Sequence, residues 1–494
     1  MQFLFSNQKD IFNSTYFKLL FYFFSAIIYS YFAGLSIPDD GLRHIAFAAN
    51  PEIMRSWGDV FPHSLFYKEY DPWYIWHQII RVYLQFFSYD NVHIAVNTTV
   101  LFMLMILLDK LLLRYSNTLK SPLIIFIILT IVLLGSFRYI NMRPDLLSGI
   151  FLFSTLLLSR NIFILFIITV LYSTSYYLFF LYTGTAGLVY LVLKNYKAVG
   201  ALFGASLIGL IFHLYLGGEY FVNTIIYLLT DQSLREGLEV GEGLPLFAFL
   251  GVFNYFVLVV IAWSFSALLI YKKYSYFKKQ PIALIIVLMS PLWLAQARYF
   301  ALLQPLILLY LFIEAKDILK LFFSRAIFYY ILQFIHILKQ VQYKTIFILP
   351  ALVYTSFMFG YMLTSDDYSY KLQEKSYYKN EKFNNQTILL NSFSIEIYYA
   401  LYLNPSLKFI PSCGIGWFEK NDKMKDIYIR MMKENGINEE ELNLLLEYVD
   451  AKYYFHLLTN TKQLLSFEKL KKLGIVPILI IDNKILFEKK ANNE

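Results

Sequence analysis

The sequence predicts a polytopic α-helical membrane protein that ends in a small soluble α/β domain, and three observations carry that prediction. Apolar residues make up 58% of the chain and come in blocks of about 15 to 25, the length that crosses a bilayer. Lysines and arginines form short clusters in alternate loops between those blocks, which puts them all on one side, as cytoplasmic loops require. Beyond about residue 365 the blocks give way to the short segments of a soluble fold.

Taken in order, about eleven spans are expected, near 17–35, 92–108, 122–140, 146–158, 162–175, 177–193, 199–216, 246–270, 282–297, 299–313 and 345–363. The first follows a polar stretch holding Lys9 and Lys18 and lacks a small-residue cleavage pattern after it, so it reads as an uncleaved anchor. Residues 162–193 fit one long helix or two short ones. Residues 321–337 are amphipathic and fit the cytoplasmic surface or a twelfth span. With the basic clusters inside, the N-terminus is cytoplasmic, while the loop 36–91, the acidic loop 217–245 and everything after Tyr361 lie outside. The domains are then 1–363, transmembrane, and 364–494, periplasmic.

The C-terminal part reads as strand 387–390, helix 394–402, strand 407–410, helices 423–435 and 439–448, and strands 476–481 and 485–488. Asn438 suits the N-cap of the second of the paired helices, and Asp482-Asn483 suits a hairpin turn. Cys413-Gly414-Ile415-Gly416 lacks the third glycine of a nucleotide-phosphate loop. The lone cysteine forms no internal disulfide, and a net charge of +8 spent on topology signals argues against nucleic-acid binding.

Polar side chains concentrate in the loop 36–91. It holds Asp39, Asp40, Glu52, Asp59, Glu69, Asp71 and Asp90, with His44, His63, His77 and three of the six tryptophans. So many at a membrane edge suggest a site. A helix starting at Asp39-Asp40 sets Asp39 and Arg43, and Asp40 and His44, at i,i+4, which suits an N-cap with a local ion pair, or a base, or a pair binding a divalent cation. Asp71-Pro72 beside Trp73 and Trp76 suits a turn with interfacial aromatics. The three histidines lack a regular zinc spacing. Arg143, before Pro144 and Asp145, and Arg298, before Tyr299, fall on the outer side, against the orientation bias. There a guanidinium suits an anionic lipid headgroup, or simply snorkels to bulk lipid.

The order of these features resembles the C-type, lipid-phosphosugar-dependent glycosyltransferase superfamily, and most of all its aminoarabinose transferase and protein mannosyltransferase branch. The residues that carry the likeness are Asp39-Asp40 after the first span, Tyr70-Asp71-Pro72-Trp73 before the second, Arg143-Pro144-Asp145-Leu146-Leu147 opening the fourth, and Arg298-Tyr299 with Pro305 near the last. Many relatives have an acid-glutamate pair where this chain has Asp39-Asp40, and a His-Pro-Pro-like segment where it has Asp71-Pro72, so the acceptor class stays open. The resemblance implies an inverting transferase in the bacterial inner membrane that uses a polyprenyl-phosphate sugar. Its acceptor is a lipid, glycan or protein, and membrane lipids line its groove. Asp39 and Asp40 are the expected catalytic carboxylates and the candidate ligands of a divalent cation. Substrate contacts are expected from Arg43, His44, Lys68, Glu69, Asp71, His77, Arg143, Asp145, Arg298 and Tyr299. Two other classes fit parts of the sequence: a flippase of lipid-linked sugars, which calls for paired halves with interrupted helices, and a non-catalytic scaffold, which needs none of the loop acids.

Overall fold

The computed structural model describes residues 15–34, 40–62, 70–115, 121–134, 142, 144, 146–230, 263–264, 266–268, 270–271, 280–295, 300–314, 375–391, 396–410, 422–432, 436–457, 465–481 and 484–490. The chain is mostly helical and carries one small sheet. It divides into two compact units. The first comprises Met1–Ile37, Gln85–Leu210 and Gly241–Tyr368, and the second Pro38–Leu84, Ile211–Val240 and Ser369–Glu494.

The first unit is built of apolar helices. Thr15–Gly34 packs on Val92–Tyr115, which also packs on Ser121–Leu134 and Leu146–Leu158. Among the described residues two helices are long and apolar enough to cross a membrane, Val92–Tyr115 and Tyr196–Ile226. Shorter apolar helices are Leu146–Leu158, Ile162–Ser175, Phe179–Val192, Pro281–Pro291 and Leu303–Ile313. Residues 162–193 form two helices, not one: the Asn161 side chain caps the first by accepting from the Ile164 N–H at 3.2 Å, and Tyr176 turns extended at its end. Arg114 donates to the carbonyls of Leu156 and Leu157, both at 2.8 Å, and so satisfies the exposed end of Leu146–Leu158.

One polar contact is buried between the first two of these helices. The Lys18 ammonium lies 2.9 Å and 3.2 Å from the two oxygens of Asp109, and the Tyr22 hydroxyl donates to the nearer oxygen at 3.1 Å. Both charged side chains are less than a tenth exposed. Elsewhere in this unit Gly209 lets two helices touch: a Cβ there would sit 2.4 Å from the Ser173 side chain.

The acidic loop expected at 217–245 begins later than predicted. The helix Tyr196–Thr230 runs on through its first part, broken only at Gly218, whose φ of 49° is open to glycine. Phe221 and Thr224 recur one turn apart on its buried side, a helical periodicity that runs on past the start of the expected loop. The rest of that loop, the segments 321–337 and 345–363, and most of 246–270 lie outside the described residues.

In the second unit, the loop between the first two long helices is itself helical, with Asp40–Ala49, Trp57–Val60 and Tyr74–Leu84. It packs on the C-terminal domain: Asp40–Ala49 lies on the helix Glu396–Leu403, and Trp57–Val60 on the second strand of the sheet. That sheet has five strands, β1 (Thr387–Leu390), β2 (Lys408–Ile410), β3 (Tyr453–Leu457), β4 (Ile475–Ile481) and β5 (Lys484–Lys489), in the order β2-β1-β3-β5-β4. The first three are parallel, and β5 and β4 add antiparallel. The pairing of Ile481 with Lys484 makes β4 and β5 a hairpin about Asp482-Asn483, which lie outside the described residues. β4 forms one edge; Pro477 sits in it, and its register shifts between Pro477 and Leu479. Asn438 caps Glu439–Tyr448 in a reciprocal box with Glu441. Strand β3 and the helix Phe467–Lys472 were not expected from the sequence.

Candidate functional site

The site grows from the turn at Asp71. The Asp71 side chain accepts from the Trp73 N–H at 3.0 Å through one oxygen, and its carbonyl accepts from the Tyr74 N–H at 3.3 Å, so the turn feeds directly into Tyr74–Leu84. The other carboxylate oxygen is 2.7 Å from His77 Nδ1, one helical turn on. His77 Nε2 is 2.8 Å from His44 Nδ1, and His44 Nε2 is 3.4 Å from Arg43 Nη2. Four side chains from two helices and a turn thus form one line, Arg43–His44–His77–Asp71.

Donor and acceptor bookkeeping orders the protons along that line. A guanidinium only donates, so His44 Nε2 accepts and its proton sits on Nδ1. His77 Nε2 then accepts from His44, and His77 Nδ1–H donates to the Asp71 carboxylate. Along these links a guanidinium stands at one end, a carboxylate at the other and two imidazoles between. Arg43, His44 and His77 are all buried, where an isolated charge would be costly and a connected one is not.

Aromatic side chains wrap the cationic end. The Arg43 guanidinium lies 4.6 Å from the Trp57 ring centroid, 4.9 Å from Trp73 and 5.8 Å from Tyr398, the last supplied by the C-terminal helix Glu396–Leu403. Attraction between the guanidinium and ring faces partly replaces the water it has given up. Phe47 stacks on His77 at 5.2 Å and 15°, and Trp73 meets His44 edge-on at 5.3 Å. Trp57–Val60 is held beside them by Asp59, whose carboxylate accepts from the backbone of Arg55 and Ser56 at 2.9 Å and 2.8 Å.

Next to Asp71, Tyr70 is engaged from the other side. Its hydroxyl hydrogen-bonds His213 Nδ1, and Phe221 stacks on the His213 ring at 5.3 Å and 16°. Gly217 permits this approach, since a Cβ there would be 2.8 Å from the Tyr70 ring. The Tyr70-Asp71 dipeptide therefore ties two networks together.

Of the residues expected from sequence, the structure brings together Arg43, His44, Asp71 and His77. Asp40 opens its helix, one turn before His44. Asp39, Lys68, Glu69, Arg143, Asp145, Arg298 and Tyr299 lie outside the described residues, as do His63 and 413–416. Among the described residues no group of three or more His, Cys, Asp or Glu side chains is disposed to hold a metal ion, and both ring nitrogens of His77 are already in hydrogen bonds. Sequence reading did not single out Trp57, Tyr398 or His213, because each meets the site through contacts distant in the chain.

A second polar cluster sits at the ends of β1 and β3. Tyr454 donates to His456 Nδ1 at 2.6 Å, and the Asn391 amide donates to the same nitrogen at 3.0 Å. Burial pushes the Tyr454 phenol well above its ordinary value. Compared with models of known families and with curated proteins, the sequence matches none.

Proposed function

We propose that the chain is a polytopic inner-membrane glycosyltransferase that moves a sugar, with inversion, from a polyprenyl-phosphate donor to an acceptor on the outer face. The observation that carries this is the Arg43–His44–His77–Asp71 line, which anchors the helix opening at Asp40 within the loop between the first two long apolar helices. A lipid environment is supported by stripes of exposed apolar residues, such as Phe163 and Leu171 on one helix and Phe203 and Leu207 on another.

Chemically, the acceptor oxygen bonds to the anomeric carbon as the bond from that carbon to the phosphate oxygen breaks. The acceptor proton passes to Asp39 or Asp40 as general base. Arg143, Arg298 and Lys68 take the charge that develops on the leaving phosphate, and a divalent cation held by Asp39 and Asp40 would add to that stabilisation. The anchored helix begins at Asp40, and anchoring of this kind acts on rate through positioning. The test is transfer from a polyprenyl-phosphate sugar by the reconstituted protein. Asp39→Asn or Asp40→Asn abolishes turnover while expression and insertion persist. Full turnover in both single variants and the double variant would refute the assignment.

A further inference from the structure

We infer that the C-terminal domain is a positioning part of the site, acting through Tyr398. This rests on the proposed transferase reading but comes from different observations. Three aromatic rings enclose the Arg43 guanidinium, and two of them, Trp57 and Trp73, belong to the loop. The third, Tyr398, comes from the helix after β1, more than 350 residues further along the chain. That helix packs along Asp40–Ala49 itself, and β2 of the same sheet packs against Trp57–Val60. The sheet domain therefore reaches the loop at two points, the helix that carries Arg43 and the short helix that carries Trp57. Both belong to one compact unit.

Tyr398 is buried and helps desolvate Arg43. The ring faces of Trp57, Trp73 and Tyr398 attract the guanidinium they enclose and help to hold it in place. Held there, it donates to His44, and so sets the direction of every hydrogen bond down to Asp71. Arg43 and His44 also lie within one turn or so of Asp40 on the same helix. Loosening Tyr398 therefore loosens the helix that begins at Asp40, without touching substrate. An effect of this kind falls on the rate of the bound complex and spares donor affinity.

The experiment uses the full chain and three variants, Tyr398→Leu, Tyr398→Phe and Ile397→Ala. Ile397 is equally buried on the same helix, so its truncation controls for lost stability. Two readouts are taken, transfer kinetics from a polyprenyl-phosphate sugar and the near-UV circular dichroism of the tryptophans. Tyr398→Leu is expected to lower kcat about tenfold, with KM for the donor within about twofold of wild type and a changed tryptophan signal. Tyr398→Phe, which keeps the ring face, recovers most of both, and Ile397→Ala keeps kcat despite a lower melting temperature. Wild-type kcat and tryptophan signal in Tyr398→Leu would overturn the inference. So would a kcat that falls with melting temperature in all three variants. If the wild-type protein transfers no sugar, the transferase reading fails, and the tryptophan signal alone then decides whether Tyr398 holds Arg43.

Discussion

Two buried polar connections, one in each unit, join a cation to an anion in different ways. Lys18 touches Asp109 directly at 2.9 Å, whereas Arg43 reaches Asp71 only through two imidazoles. In the direct pair the two charges consume each other, and the contact does little beyond fixing helix against helix. In the bridged line two imidazoles keep the guanidinium and the carboxylate apart, so a change at one end is felt at the other only through them. Burial alone does not distinguish a structural clamp from a line of communication; the identity of what lies between the charges does.

The largest effect should come from breaking the direct pair. Asp109→Leu strands the Lys18 charge and is expected to cost about 3–5 kcal/mol, whereas the double variant Lys18→Met with Asp109→Leu recovers most of it. Thermal unfolding of the purified protein measures both. Equal losses in the single and double variants would erase the contrast, because the pair would then carry no stranded charge.

An intermediate effect sharpens the other half of the comparison. Arg43→Met and Asp71→Asn each remove one end of the bridged line and should cost about 1–3 kcal/mol apiece. Their double-mutant cycle is the informative quantity. Side chains that share no contact normally add to within about 0.5 kcal/mol, so a larger coupling shows transmission through His44 and His77. Strict additivity would reduce the line to three independent hydrogen bonds.

The smallest effect is expected at a half-buried surface pair, which serves as the reference for both. Arg430 donates to both oxygens of Glu441, at 2.6 Å and 3.2 Å. Chiefly through those bonds, the Glu441 carboxyl is held below its ordinary value. Because its folded value is depressed, the stability it contributes is present above the ordinary carboxylate range, near about 4.3, and is lost as pH falls through the folded value. Arg430→Met should flatten that acid limb in a pH series of unfolding and cost at most about 1 kcal/mol at neutral pH. A loss as large as that of Asp109→Leu would remove the reference.

Much of the architecture was legible because it depends on local pattern. Helices at Leu146–Leu158 and Ile162–Ser175 and the strand Thr387–Leu390 fall where hydrophobic periodicity predicts them, and Asn438 is the cap its position suggested. Strand β3 escaped because Tyr453-Tyr454-Phe455-His456-Leu457 is central, paired on both sides and without the polar alternation of a half-exposed strand. The site was legible in its membership and not in its wiring. Spacing suggested that His44 acts within its own helix, while the structure joins it to His77, 33 residues away. Tyr398 and His213 carry no local signal at all, since only folding brings them to Arg43 and Tyr70.

The interruption in β4 matters beyond the hairpin it belongs to. Ile475-Val476-Pro477-Ile478-Leu479-Ile480-Ile481 would, without its proline, be an unbroken aliphatic ribbon along an open edge, the kind of strand that templates growth from one molecule to the next. Pro477 offers no N–H to an incoming strand, and the register shift beside it bends the ribbon away from the flatness such growth requires. With Ile480 65% exposed on that strand, the proline and the register shift beside it both work against edge-to-edge pairing. A residue that contributes nothing to the site thus guards the sheet against pairing with its own copies.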